Sequence, residues 1–466
     1  MNIQQLKLKL HNPVDNAFLI AFRIAFGIIM LWDTLRYLNN GWITEFYVEP
    51  VFLFKYYGFE WVHPWPGDGM YIHFTLLAVL ALFITIGFLY RASIILFFFG
   101  FSYVFLLDQA RYLNHFYLVI LFNFLLIFLP ANKNFSIDAL LWPLKKSDKA
   151  PLWSLWILRF QMEVLLIYAG LVKINPDWLQ LEPLRMWLSL RSDMPVVGYF
   201  YTQDWAIAIA AYGVIILHVV GAPLLLWKKT RLIVFCIYAC FHLLNHFTFT
   251  IGIFPWLTLA GTLVFFDPNW PKQVKSYLLK RLNPDADTQN KSEEPSPNNS
   301  SEYLSNVKAW NRSIVFAFCA SWALFQILVP LRHVLYPGNV SWTEEGHRFS
   351  WQMKLRTKRG FADFVILDPL TQKTWYVSPE KYLTEKQARK MPTQPDMILQ
   401  FAYFLEELWK KEHGLKDVEI RVSNYVSLNG REPAPMVNPT VDLTKIERNL
   451  SKADWILPLH EPLRRN

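Results

Sequence analysis

Nine mostly apolar runs divide the chain, at residues 17–35, 71–90, 92–107, 115–131, 153–173, 205–227, 231–249, 252–266 and 313–331. Several are at or near the roughly 20 residues that a helix needs to cross a bilayer, and those at 92–107 and 252–266 are short for it. The pattern predicts a polytopic α-helical membrane protein of about nine transmembrane helices. Residues 282–304, LNPDADTQNKSEEPSPNNSSEYL, are polar and rich in Pro, Ser and Asn, and read as a flexible cytoplasmic linker. Beyond residue 340 or so the period changes. HRFSWQMKLRT (347–357), ADFVILD (362–368), KTWYVS (373–378) and VEIRVSNYVSLN (418–429) alternate apolar and polar positions and read as strands. PDMILQFAYFLEELWKKEH has helical periodicity, starts after Pro395 and ends in Lys and His before Gly414. The expected organisation is membrane helices 1–8 over residues 1–281, the linker over 282–304, a last span over 305–333, and an exported, β-rich, sandwich-like domain with one helix over 334–466.

Charge then orients the spans. The chain carries a net charge of +9 and is 53% hydrophobic. Lys7 and Lys9, Arg91, Lys133 with Lys145, Lys146 and Lys149, Lys228 with Lys229 and Arg231, and Lys272 with Lys275, Lys280 and Arg281 all fall on one side of nine threaded spans. By the positive-inside rule that side is cytoplasmic, and the odd number of spans leaves the C-terminal region outside. The basic charge therefore reads as topology, and no nucleic-acid partner is expected. Met1–Asn16 is polar and the first apolar run lacks a small-residue cleavage site, so no cleavable signal peptide is expected. The three cysteines, Cys236, Cys240 and Cys319, all lie in apolar runs, so the exported region holds no disulfide framework. No Walker loop, GxGxxG after a strand, GxSxG or CxxC is present, which argues against a nucleotide-driven pump, a Rossmann enzyme, a serine hydrolase and a thiol oxidoreductase.

Ionisable residues inside apolar runs are expensive and by default mark function. Arg159 and Glu163 are four apart and spaced to pair on one helix face. Lys173 lies fourteen residues beyond Arg159, within about 40° of the same face. It is either a snorkelling anchor or a covered amine; desolvation would lower its proton affinity and suit it to act as a base. Asn114 and His115 open the fourth run. His242, Asn245 and His246 share one face of the seventh, a spacing that suits a metal less well than a polar wall of a cavity for an aromatic or quinone ligand, and no metal is expected. His218 stands alone and reads as a helix–helix hydrogen-bonding group.

Several ordered stretches then resemble one family. They are YLNHFYLVILFNFLLIFLPANKNFSIDA, AGLVKINPDW, CFHLLNHFTFTIGIFPWLTLA and EEGHRFSWQMKLR, followed by TWYVSPEKYLTEKQARKMP, PDMILQ, VSLNGR, NPTVDL and ADWILPL. From about residue 15 to 460 the chain resembles the vitamin K-dependent γ-glutamyl carboxylases. The likeness is to their bacterial-type relatives, which carry the so-called horizontally transferred transmembrane domain. The resemblance implies an enzyme that oxygenates reduced vitamin K (or menaquinol) with O2 to the epoxide. The strong base so formed takes a proton from a protein glutamate, which then adds CO2. It implies Lys173 as the base that deprotonates the hydroquinone, and Asn114 and His115 as groups steering the intermediate. His242 and Asn245 would contact the cofactor. Arg431, Trp375 and Tyr376 would hold the glutamyl substrate. The partners implied are a glutamate-containing protein or peptide, the lipid bilayer and a quinone-reducing enzyme in the same membrane.

The chain departs from the animal enzymes of this family in three places. Val172 stands where they have a second lysine, Leu166 where they have a tyrosine, and the chain ends at Asn466 without their C-terminal extension. The disulfide that joins their membrane and luminal parts has no counterpart, and propeptide recognition of the clotting-factor type is not carried over. Two other readings of the residues stay open: a quinone-linked membrane oxidoreductase or epoxidase without glutamate carboxylation, and a non-enzymatic transport or assembly protein.

Overall fold

A computed structural model describes residues 2–249, 251–282 and 309–463. The linker expected over 282–304 lies, apart from Leu282, outside the described residues. Each apolar run is a helix: α1 (Ala17–Asn39), α2 (Gly69–Ile86), α3 (Tyr90–Leu107), α4 (Asn114–Phe128), α5 (Leu152–Leu171), α6 (Asp204–Leu224), α7 (Arg231–Phe249), α8 (Phe254–Phe265) and α9 (Ala309–Leu331). Seven are long and apolar enough to cross a membrane, and α4 and α8 are shorter. The run at 92–107, expected to be short, gains two residues at its start and is one of the seven.

α1 and α2 pack closely because Gly27 leaves no side chain where Thr85 sits. α5 is the central helix. Most of its residues are buried, whereas α7 and α9 present largely exposed apolar faces, as lipid-facing helices do. α6 contains a π-helical stretch, Leu217–Gly221. Pro223 follows it and has no N–H to give to the preceding turn, a local reason for the widened helix.

The C-terminal domain is one antiparallel sheet in the order β2-β1-β3-β4, with β1 (Lys358–Leu367), β2 (Thr374–Val377), β3 (Glu419–Leu428) and β4 (Ala434–Pro435). Ala362, Phe364 and Ile366 of β1 and Ile420, Val422 and Val426 of β3 alternate inward. They pack with α10 (Pro395–His413), which buries Ile398, Phe401 and Leu405. α10 starts on Pro395 and stops at Gly414 in the left-handed conformation, as its sequence signals require. Two corrections follow. The domain is a single helix-backed sheet among the described residues, not a two-sheet sandwich, because α10 covers the face a second sheet would need. Residues 347–357 are not a strand. Phe349, Trp351 and Lys354 have φ of 62°, 53° and 50°, so the chain turns instead of extending. Trp351 is nevertheless fully buried, and its strap (346–357) lies between the membrane helices and the sheet.

Candidate active site

α5 ends at Leu171, two residues before the apolar pattern does, and Lys173 sits in the turn that follows. Its side chain folds back. Nζ donates to the carbonyl of Ala169 at 2.8 Å and to that of Met353, in the strap, at 3.3 Å. The Trp178 ring lies 5.2 Å away. Lys173 is only 6% exposed, and burial pulls its amine down from the ordinary lysine value to about 7.

Asn114, the first residue of α4, accepts a hydrogen bond from the Tyr112 hydroxyl at 3.0 Å and reaches the Gln352 carbonyl at 3.4 Å. Successive strap carbonyls, Gln352 and Met353, thus take donors from Asn114 and Lys173, which draws these two expected site residues together. His115 packs against Phe116 and Phe254. Phe254 also meets His242, so one ring separates the two histidines. His242 is buried; its Nδ1 faces Thr258 Oγ1 at 3.4 Å and its Nε2 has no partner. Asn245 instead turns back to its own helix, donating to the Phe241 carbonyl at 2.9 Å. His218 does not bond across helices as the sequence suggested. It engages Val214 O of its own helix at 2.8 Å and packs over Gly170, one turn below Lys173.

The expected Arg159–Glu163 pair does not form. The C-terminal carbonyls of α8 compete for the guanidinium, and Arg159 donates to Val264 O at 2.9 Å, Phe265 O at 3.1 Å and Phe266 O at 3.0 Å. Both Glu163 oxygens are left buried without a hydrogen-bond partner. Glu163→Met, close in shape, is therefore expected to raise stability by about 1–3 kcal/mol, the cost of an unsatisfied buried polar group. A thermal midpoint in detergent that falls instead would mean the carboxylate is engaged.

The three luminal candidates do not share a site. Arg431 follows β3 and forms a two-pronged bond to Asp177, with both contacts at 2.7 Å and both residues nearly buried. Asn429 Nδ2 adds a third donor to the same carboxylate at 2.7 Å. Trp375 and Tyr376 lie on the opposite edge strand, β2. Trp375 pairs with Ile366, which pairs with Ile420, eight residues or roughly 27 Å along β3 from Leu428. Tyr376 is 81% exposed, and Trp375 stacks on His413. The strap and Asp177 were not singled out from the sequence as site elements, although Asp177 stands inside the quoted AGLVKINPDW stretch. Among the described residues no three His, Cys, Asp or Glu side chains gather as metal ligands.

Two clefts flank the strap. One of about 800 Å³ is lined by Arg332, Arg348, Phe349 and Arg448, and one of about 960 Å³ by Val172, Asp177, Gln352 and Arg431. An amine buried against backbone carbonyls and beside an aromatic ring suits proton abstraction from an aromatic hydroxyl.

Two family models match the chain, one after the other. The HTTM domain covers residues 11–270, and the vitamin K-dependent gamma-carboxylase lumenal domain covers 311–462. The chain belongs to the vitamin K-dependent γ-carboxylase family. No solved structure matches it. The unmatched stretch of this carboxylase-type protein runs over 271–310, and α9, from its third residue on, comes within the part matched by the lumenal-domain model.

Proposed function

We propose that the protein is a vitamin K-dependent γ-carboxylase in which Lys173 is the base that deprotonates the hydroquinone. The burial of Lys173 carries this reading. Its amine is nearly excluded from water, and its polar partners are two backbone carbonyls and no carboxylate. Such an amine gives up its proton far more readily than one in water. The orphaned Nε2 of His242 offers an acceptor for a quinol hydroxyl, and Phe254, with the rings around it, a surface for its ring. When bound, reduced vitamin K supplies the chemistry: its oxygenation to the epoxide yields a base able to take the γ-proton of glutamate, whose carbanion then adds CO2. Lys173 takes and later releases the hydroquinone proton. Asn114 holds Gln352 and so the strap. The buried strap residues, Trp351 among them, keep bulk water from a base it would quench.

Arg431 is spent on Asp177, so the glutamyl carboxylate is assigned to the cleft of about 800 Å³, where Arg348 donates to Gln394 at 3.2 Å and opens toward the cavity. The N-terminus is assigned to the cytoplasm and the exported domain to the other side of the membrane, where a peptide reaches this cleft. A quinone-reducing enzyme in the same membrane would regenerate the hydroquinone.

The test is an assay of purified protein in nanodiscs with chemically reduced vitamin K, O2, labelled bicarbonate and a Glu-containing peptide. Epoxide together with label in the peptide is expected. Epoxide without label would leave a quinol epoxidase, the reading favoured by the distance of Trp375 and Tyr376 from Lys173's neighbours. No epoxide would overturn the function.

A further inference from the structure

The exported domain holds the Lys173 turn at two points, and the two are tied to each other. At the first, Met353 of the strap accepts from Lys173 Nζ. At the second, Arg431 and Asn429 grip Asp177. Asn429 and Thr357, four residues beyond Met353, exchange hydrogen bonds. Thr357 N donates to Asn429 Oδ1 at 2.8 Å, and Asn429 N donates to Thr357 O at 2.9 Å. Gly430, at φ +79°, and Asn429, at φ +52°, make the tight turn that brings Arg431 round beside it.

On the membrane side the loop closes through Asn175. Its Oδ1 accepts from Trp178 N at 3.1 Å, and its Nδ2 donates to Val172 O at 2.9 Å. Trp178, next to Asp177, is fixed to α6 by its indole N–H on Ala211 O at 3.0 Å and lays its ring toward Lys173. Lys173, Met353, Thr357, Asn429, Asp177 and Asn175 thus form a closed circuit of bonds around the amine. Asp177 and Arg431 line the cleft of about 960 Å³, with Val172 and Ile174, the two chain neighbours of Lys173. The pair therefore stands between an open cleft and a covered amine.

We propose that Asp177 is a positioning residue for Lys173: clamped by Arg431 and Asn429, it seals the exported domain over the amine and keeps cleft water away from it. This rests on the reading of Lys173 as the base. His218 of α6 lies within electrostatic reach of Lys173, and Lys354 of the strap lies over Trp187 and Phe249. Neither His218 nor Lys354 supplies a counter-charge in place of the pair, and the Asp177 carboxylate is fully engaged by its three donors. The seal thus acts through water exclusion rather than through direct charge on the amine.

The experiment is the pH profile of epoxide formation by the full chain in nanodiscs, with reduced vitamin K, for wild type, Lys173→Ala, Asp177→Asn, Arg431→Lys and the exchanged pair Asp177→Arg/Arg431→Asp. Asp177→Asn is expected to cut the rate at pH 7 at least tenfold and to move the half-maximal pH up by one unit or more, with most of the rate regained at pH 9 and an unchanged KM for the quinol. Arg431→Lys, which keeps the charge but not the two-pronged grip, should move the same way by less. The exchanged pair should return toward the wild-type midpoint. A purely structural pair would lower the rate alike at every pH, and a wild-type midpoint in both Asp177→Asn and Arg431→Lys would overturn the seal. If wild type makes no epoxide, or Lys173→Ala keeps it, the assignment of the base fails, which is a different result from a failed seal.

Discussion

Lys173→Ala is expected to reduce epoxide formation by about 10²–10⁴-fold, the usual contribution of a positioned general base. Lys173→Arg should lose as much, although it keeps length and charge. A guanidinium stays protonated at any working pH and cannot accept the hydroquinone proton. The pair separates a chemical role from a packing role, since an anchor that only snorkels would tolerate arginine. In wild type the sign of the pH dependence follows from the direction of the shift. Burial lowers the amine to about 7, and only the neutral form accepts a proton. The rate should therefore rise with pH below about 7 and level off above it. A lysine with its ordinary value would still be climbing at pH 9. Epoxide measured by chromatography over pH 5.5–9.5 reads both results. Equal rates in Lys173→Ala and wild type would remove the base.

The membrane part of this architecture was legible because a bilayer permits few solutions. Backbone groups must be satisfied within each segment, so every long apolar run had to be a helix, and all nine are. Lys173 was legible for the same reason, as a charge where the pattern called for none. The structure departs from the sequence pattern where local spacing does not settle a tertiary contest. Arg159 and Glu163 have pairing geometry on their helix, but the free carbonyls at the end of α8 take the guanidinium. Residues 347–357 alternate like a strand, but three left-handed residues fold them into the strap. The role of Arg431 came from the resemblance alone, and its bond to Asp177, 254 residues away in the chain, was not legible in either segment. Nothing local in either segment announces the other.

Glu344→Gln is expected to destabilise the exported domain by about 3–5 kcal/mol, the cost of removing one partner from a buried ion pair. Glu344 accepts from Arg356 Nη2 at 2.6 Å and from Lys358 Nζ at 3.1 Å, with side-chain exposures of 6% for Glu344, 16% for Arg356 and 3% for Lys358. Arg356 also donates to His347, which burial and the Arg356 charge hold well below its ordinary value, so the histidine adds no cation of its own. One carboxylate therefore balances two buried cations. Gln keeps the shape and removes the balance. Lys358 retains the carbonyls of Trp342 and Thr393, each at 2.7 Å, but these are dipoles and not a counter-charge. The amount of the loss should depend on pH. Burial brings the Lys358 amine down from 10.5 to about 8, so between those values the unfolded chain holds a proton that the folded chain does not. Stability contributed by this group is thus full above about 10.5 and is lost as pH falls toward 8. Without Glu344 the folded amine gives up its proton still more readily and the window widens downward. The penalty of Glu344→Gln should then be smaller at pH 9.5 than at pH 7, and Glu344→Gln/Lys358→Met should recover part of it at pH 7. Hydrogen exchange of β1 and β3 amides in the full chain is the measurement. Protection lowered by roughly two to four orders of magnitude at pH 7 corresponds to the predicted loss. Unchanged protection at both pH values would show that the two cations need no carboxylate.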